Sequence, residues 1–239
     1  MRPTEGRLVL GERGSTSLAA PGYVIHSLDR RPDPQTVARL AIFPTPVVSD
    51  CLGRLSGVVG LRPFHKRGPL AGPAFTVKTR PGDNLMIHKA LDLAAPGDVL
   101  VIDGGGELAN ALVGELMQLY AIQRGLAGFV VDGAIRDLGA YAASDFPCFA
   151  RGSVHRGPYK DGPGEINVPV NIGGLVIEPG DVVLGDEDGV VAISPDRLEE
   201  LIEACRRKAE QEAADKLAIN SGCYDRTWIS EALSRRGLV

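Results

Sequence analysis

Four short apolar runs constrain the fold of this chain more than any other feature. They lie at residues 74–79, 99–102, 128–131 and 190–193; each is rich in β-branched residues and bounded by turn residues. Runs of that length and composition are the signature of buried strands. Helical patterns separate some of them, at 84–94, 109–124 and 136–143. The order therefore mixes βαβ crossovers with hairpins and predicts an α/β fold. At 239 residues the chain can bury one generous core but hardly two.

Three segments follow from the texture. Residues 1–35 are rich in Gly, Pro, Ser and Arg, carry only short apolar runs such as Leu8-Val9-Leu10, and read as an N-terminal arm. Residues 36–195 form the core. It opens with a helix from Asp33 or Thr36 to about Ile42 and a second from Val47 to near Gly57. Residues 196–239 form a helical extension: Ser194-Pro195-Asp196 is a helix start, and Leu198, Leu201, Ile202, Cys205 and Ala209 follow at helical spacing. Beyond Ala209 the apolar stripe thins while Glu210, Glu212, Asp215 and Lys216 accumulate. A helix that outruns its own core leans on a neighbouring subunit, so a homo-oligomer is expected.

Charge and composition exclude several functions. Net charge is −4, and no Lys/Arg run exceeds Arg206-Arg207-Lys208, so no nucleic-acid footprint is present. No stretch of about 18 apolar residues occurs and the N-terminus lacks a signal-peptide core, which predicts a cytoplasmic protein without membrane contact. Cys51, Cys148, Cys205 and Cys223 form no CxxC pair, and His26, His65, His88 and His155 share no metal-binding spacing. A soft transition-metal site is thereby disfavoured. Any metal should be a hard Mg²⁺ or Mn²⁺ held by one or two carboxylates and waters. His88 reads as a core or cleft hydrogen-bonder. Lys78 and Lys89 lie near the β-rich core but have no context that clearly depresses a lysine pKa for Schiff-base chemistry. No GxSxG or GxxxxGK[ST] pattern stands in the chain.

Pro-Gly-Asp recurs at 81–83, 96–98 and 179–181 and reads as a type II turn, twice directly before a strand. After the first copy a helix follows, so Asp83 and Asn84 either cap it or face a cleft. Residues 100–106 read as strand and then glycine-rich turn, with a helix beginning near Glu107 or Ala109; such glycines let backbone amides approach an anion. Gly104, Gly106 and Ala109 match a dinucleotide spacing, but no acidic residue ends a strand at the required distance. Arg136 and Asp137 follow the strand at 128–131 and a glycine turn. They stand either at the C-terminal sheet edge where α/β proteins bind ligands, or at an ordinary helix start.

Gly114-Glu115-Leu116-Met117, 20 intervening residues, then Arg136-Asp137 resembles the signature of the RraA-like superfamily, specifically its 4-hydroxy-4-methyl-2-oxoglutarate/4-carboxy-4-hydroxy-2-oxoadipate aldolases. The stretch from Pro81 to His88, Pro96-Gly97-Asp98-Val99, Val168-Pro169-Val170, Gly180-Asp181-Val182-Val183 and the stretch from Asp186 to Val190 carry it further. It covers about residues 40–195. The resemblance implies a swivelling β/β/α-type single domain, assembled as trimers or hexamers with sites at subunit boundaries. It implies a metal-dependent lyase that cleaves 4-hydroxy-2-oxo acids to pyruvate plus pyruvate or oxaloacetate, with oxaloacetate decarboxylation as a side activity. Asp137 would ligate Mg²⁺ or Mn²⁺ mainly through waters, Arg136 would bind the pyruvoyl part, and the amides of Gly114, Glu115, Leu116 and Met117 the substrate carboxylate. Glu115 stands where these aldolases usually carry Asp. Asp50, near Gly53-Arg54, and Glu212 or Glu210 on the extension match acids that the aldolases place around the site, the latter in a neighbour's. RraA-type proteins of the same superfamily are instead non-enzymatic regulators of an RNA-degrading endonuclease; they are shorter, so length and the Glu115, Arg136, Asp137 set favour an enzyme.

Overall fold

The computed structural model describes residues 15–17 and 21–238. Leu8-Val9-Leu10 of the expected arm lies outside them. The chain opens with β1 (Ser15–Ser17), β2 (Tyr23–His26), α1 (Pro34–Leu40), α2 (Thr45–Cys51), β3 (Gly57–Val58) and β4 (Arg62–Pro63). The centre runs β5 (Leu70–Thr79), α3 (Leu85–Leu93), β6 (Val99–Val113), α4 (Glu115–Gln123), β7 (Gly128–Ile135), α5 (Leu138–Ala143) and β8 (Cys148–Ser153). Then come β9 (Gly164–Ile166), β10 (Val170–Ile172), β11 (Leu175–Ile177), β12 (Val182–Asp186), β13 (Gly189–Ile193), α6 (Leu198–Asn220) and α7 (Thr227–Ser234).

Strands β5, β6, β7 and β8 lie side by side and parallel. Alternation sorts their side chains onto two faces, because successive strand residues point opposite ways. Phe75, Val77, Leu100, Ile102, Phe129 and Val131 face Met86, Ile87 and Ala90 of α3, Met117 and Ala121 of α4, and Tyr141 of α5. Ala74, Val99, Val101, Val130 and Phe149 face the other way, against β10, β11 and one side of the β12–β13 hairpin through Val183, Val190 and Ala192. The hairpin's second side, Val182, Leu184, Val191 and Ile193, is covered by α1, α2 and α6. The result is a mixed α/β single domain with two β layers between helices. Strand β5 joins the layers: its first residues pair antiparallel with β12 and its later ones parallel with β6.

Local chemistry accounts for much of this. Asp33 caps α1, its carboxylate accepting from the Thr36 amide at 2.9 Å, with Pro34 in the first turn. Gly82, Gly97 and Gly180 of the three Pro-Gly-Asp turns have φ of 75°, 88° and 87° in the order 82, 180, 97, the positive values a type II turn needs. On α6 the buried residues are Leu198, Leu201, Ile202 and Cys205, and the remaining length is largely exposed.

Two expectations fail. The second helix ends at Cys51 rather than near Gly57, because Gly53 and Arg54 turn the chain with positive φ of 69° and 65°. No helix begins near Ala109; β6 continues to Val113 and α4 starts only at Glu115. Between Asp103 and Ala111 the strand bulges away from β7, then rejoins it at Ala134 and Ile135. Leu112 drives the return. A Cβ on Gly104 or Gly133 would lie 2.4 Å or 2.8 Å from its Cδ1, so these glycines make room for a core leucine rather than a path to an anion. Tertiary packing overrides helix propensity here.

Candidate active site

Strand β7 is buried along its whole length and ends at Ile135, delivering Arg136 and Asp137 to the C-terminal edge of the sheet. Asp137 adopts the left-handed conformation, φ 60° and ψ 45°, which a non-glycine residue holds only when its surroundings demand it. It precedes α5 but makes no side-chain cap to that helix. Its Oδ2 turns instead to α4 and accepts from the Glu115 amide at 3.0 Å. Asp137 thus stands at a helix start, as one reading of the sequence had it, with its carboxylate spent on α4 rather than on capping α5. Arg136 lies beside it, Nε 3.6 Å from the same oxygen, and both side chains are about two-fifths exposed.

Gly114 makes this arrangement possible. Its backbone is extended, so conformation does not require glycine. Space does: a Cβ there would sit 2.4 Å from Asp137 Oδ2, 3.0 Å from Arg136 Cγ and 3.1 Å from Arg136 Nε. Tyr141 holds the same glycine from below, its hydroxyl donating to the Gly114 carbonyl at 3.4 Å. Burial pushes the Tyr141 phenol well above its ordinary pKa, so it remains a neutral donor.

Arg136 and Asp137 open onto a cleft lined also by Asn84, His88, Gly114, Leu116, Met117 and Lys160. Asn84 is buried; its Nδ2 donates to the Leu112 carbonyl at 2.9 Å and its Oδ1 accepts from Lys160 Nζ at 3.3 Å. Asp83 takes the capping role left open above, accepting from the Leu85 amide while its other oxygen accepts from Asp161, Gly162 and Arg80. His88 lies 3.5 Å from Lys160; burial first, then the lysine's charge, lowers its pKa against an opposing pull from Asp92. Lys160 carried no spacing signal in the sequence.

Other sequence candidates lie elsewhere. Glu115 contributes its amide, but its side chain is exposed and is not among the cleft-lining groups. Asp50 and Glu212 meet around Lys208, at 3.4 Å and 3.7 Å, where α2 packs on α6 and away from the cleft residues. Lys78 and Lys89 do not line the cleft.

Asp137 is, among the described residues, the one carboxylate on the cleft wall. Among the described residues, no group of three or more His, Cys, Asp and Glu could hold a metal ion. That donor set suits a hard cation that keeps most of its waters and needs only one or two carboxylates.

Fold and cleft together place the chain in a known class. A family model described as RraA-like, Aldolase/RraA, matches residues 45–192. A protein from Halalkalibacterium halodurans named "Putative 4-hydroxy-4-methyl-2-oxoglutarate aldolase" is 40% identical over 185 residues, covering 77% of this chain and 88% of the relative. Among solved structures, an uncharacterized protein from Pseudomonas syringae matches with TM-score 0.73 and 26% identity, over 80% of this chain and 95% of its own. RraAS2 of Streptomyces coelicolor, described as an unusual member of the RNase ES inhibitor RraA protein family, matches with TM-score 0.71 and 26% identity, over 78% of this chain and 98% of its own. The chain belongs to the RraA-like family.

Proposed function

We propose that the cleft binds a 2-oxo acid and that the protein is a divalent-metal-dependent pyruvate aldolase. It cleaves 4-hydroxy-2-oxo acids, such as 4-hydroxy-4-methyl-2-oxoglutarate or 4-carboxy-4-hydroxy-2-oxoadipate, to pyruvate plus pyruvate or oxaloacetate. The observation that carries this reading is the convergence of the Arg136 guanidinium, the Asp137 carboxylate and the start of α4 on one cleft. In the retro-aldol step the C4 hydroxyl loses its proton and the C3–C4 bond breaks. The bonding pair becomes the pyruvate enolate, which is then protonated at C3. Arg136 would stabilise the charge that grows on the C2 oxygen, and the amide end of α4 would hold the C1 carboxylate, the Glu115 and Met117 amides exchanging their present partners, Asp137 Oδ2 and the Gly114 carbonyl, for it. Mg²⁺ or Mn²⁺, held by Asp137 through waters, would supply Lewis-acid stabilisation of that same charge. Losing CO₂ from oxaloacetate leaves the same enolate, so decarboxylation accompanies the aldolase activity.

The working unit is a homo-oligomer, a trimer or hexamer. Leu116 beside the cleft is 79% exposed, and Leu217, Ile219 and Trp228 on the C-terminal helices are 71%, 56% and 59% exposed. Glu212, which lies away from its own chain's cleft, would serve a neighbour's in such an assembly.

The test is coupled pyruvate detection over a panel of 4-substituted 4-hydroxy-2-oxo acids with Mg²⁺ or Mn²⁺. Turnover that a chelator abolishes supports the proposal; no turnover of any member refutes it. The likeness to a structure described as an RNase inhibitor relative favours the second reading, a protein-binding regulator, in that case.

A further inference from the structure

We infer that Lys160 is the second cationic anchor of the cleft, positioned to receive the distal carboxylate of a dianionic 2-oxo acid while Arg136 engages the 2-oxo end. The inference rests on the reading of the cleft as a 2-oxo acid site and adds the residue that selects diacids over monoacids.

Lys160 reaches the cleft from the crossing between β8 and β9, and that crossing is pinned on both sides. The Arg156 carbonyl accepts from the Ala111 amide at 2.8 Å, and the Gly157 carbonyl from Asn110 Nδ2 at 2.6 Å. Next along the chain, the Tyr159 amide donates to Gly82 at 2.8 Å and its carbonyl accepts from Asn84 at 3.0 Å. The base of the lysine is thus set by four bonds to the strand and turn that build the cleft wall.

Its charge is not cancelled there. The ammonium donates to Asn84 Oδ1 at 3.3 Å and lies 3.5 Å from His88 Nε2, and neither partner is an acid. Among the described residues Lys160 has no carboxylate in ion-pair range, and the acids around it are engaged. Asp83 serves Arg80 and three backbone amides, Asp161 pairs with Arg80 at 2.7 Å, and Asp92 accepts from Tyr120 at 3.0 Å. Among the described residues, Arg136 and Lys160 therefore give one cleft two cations against the single carboxylate of Asp137, in a chain whose net charge is −4. An ammonium is a compact charge on a flexible stem, suited to a carboxylate whose distance varies with chain length.

The ligands 2-oxoglutarate and 2-oxovalerate share a five-carbon chain and differ only in the distal carboxylate. Calorimetry of both, with Mg²⁺ present, on wild type, K160M and K160R tests the inference. Lys160 is exposed, so neither variant threatens the core. Losing one charge-assisted hydrogen bond should weaken 2-oxoglutarate about tenfold or more in K160M, leave 2-oxovalerate within about twofold, and be largely rescued in K160R. Equal weakening of both ligands, or of neither, overturns the assignment. If wild type binds both with the predicted preference yet turns over no 4-hydroxy-2-oxo acid, the aldolase reading fails while Lys160 stands; if wild type binds neither, both fall.

Discussion

Replacing Gly114 with alanine adds a single methyl group and tests the whole architecture of the cleft. That carbon would sit 2.4 Å from Asp137 Oδ2 and within 3.1 Å of the Arg136 side chain. To restore ordinary contacts the carboxylate must retreat by roughly 0.6–1 Å. The backbone of Gly114 is extended and accepts alanine, so the whole cost falls on these two side chains. Overpacking of this kind costs about 1–3 kcal/mol, which at about 2–4 °C per kcal/mol for a chain of this size is a visible but survivable drop in Tm. Catalysis should suffer far more, because misplacing reacting groups by about 1 Å can cost on the order of 100-fold. The assay is kcat/KM for pyruvate release from oxaloacetate with Mg²⁺, beside a thermal melt. A folded G114A protein with wild-type kcat/KM would refute the claim that the position of Asp137 matters.

Three further outcomes follow from the same geometry. Asp137→Asn keeps the shape and tolerates the left-handed backbone, so Mn²⁺ affinity and kcat should fall together with Tm nearly unchanged; unaltered metal affinity in a titration would remove Asp137 from the metal site. Arg136→Ala should lower retro-aldol and decarboxylase activity alike, by about 100- to 1000-fold, and loss of only one would break the shared-enolate argument. His88 has a folded pKa below its ordinary 6.5, so the unfolded chain binds the proton more tightly and stability contributed by neutral His88 declines as pH falls below about 6.5. His88→Gln should show a shallower loss of stability than wild type between neutral pH and about pH 5 in denaturant titrations, and parallel curves would contradict the assignment.

The strands at 74–79, 99–102, 128–131 and 190–193 were legible because their cause is local: alternating or continuous apolar residues bounded by turns that glycine alone can make. The long β6 was not. Its last turn of chain reads as helix until Leu112 is seen filling the space over Gly104 and Gly133, which are 8 and 21 residues away in sequence. The cleft divides the same way. Arg136 and Asp137 could be picked out by their place after a buried strand, yet the sequence alone left them balanced between a site and a helix start. What the spacing could not show is a contact between distant residues: the Asp137 carboxylate leaves its own helix uncapped and accepts from the amide of Glu115, across the position where Gly114 lacks a side chain. The same holds for Lys160, whose position depends on how a loop is tied to Ala111, Asn110 and Gly82. Spacing along one chain records which residues share an element, not which elements meet. A glycine whose φ is unremarkable, next to an aspartate whose φ is left-handed, makes sense only as a pair. The strain at Asp137 is held by β7 on one side and α5 on the other, and the space that receives its carboxylate is the one a side chain at residue 114 would occupy.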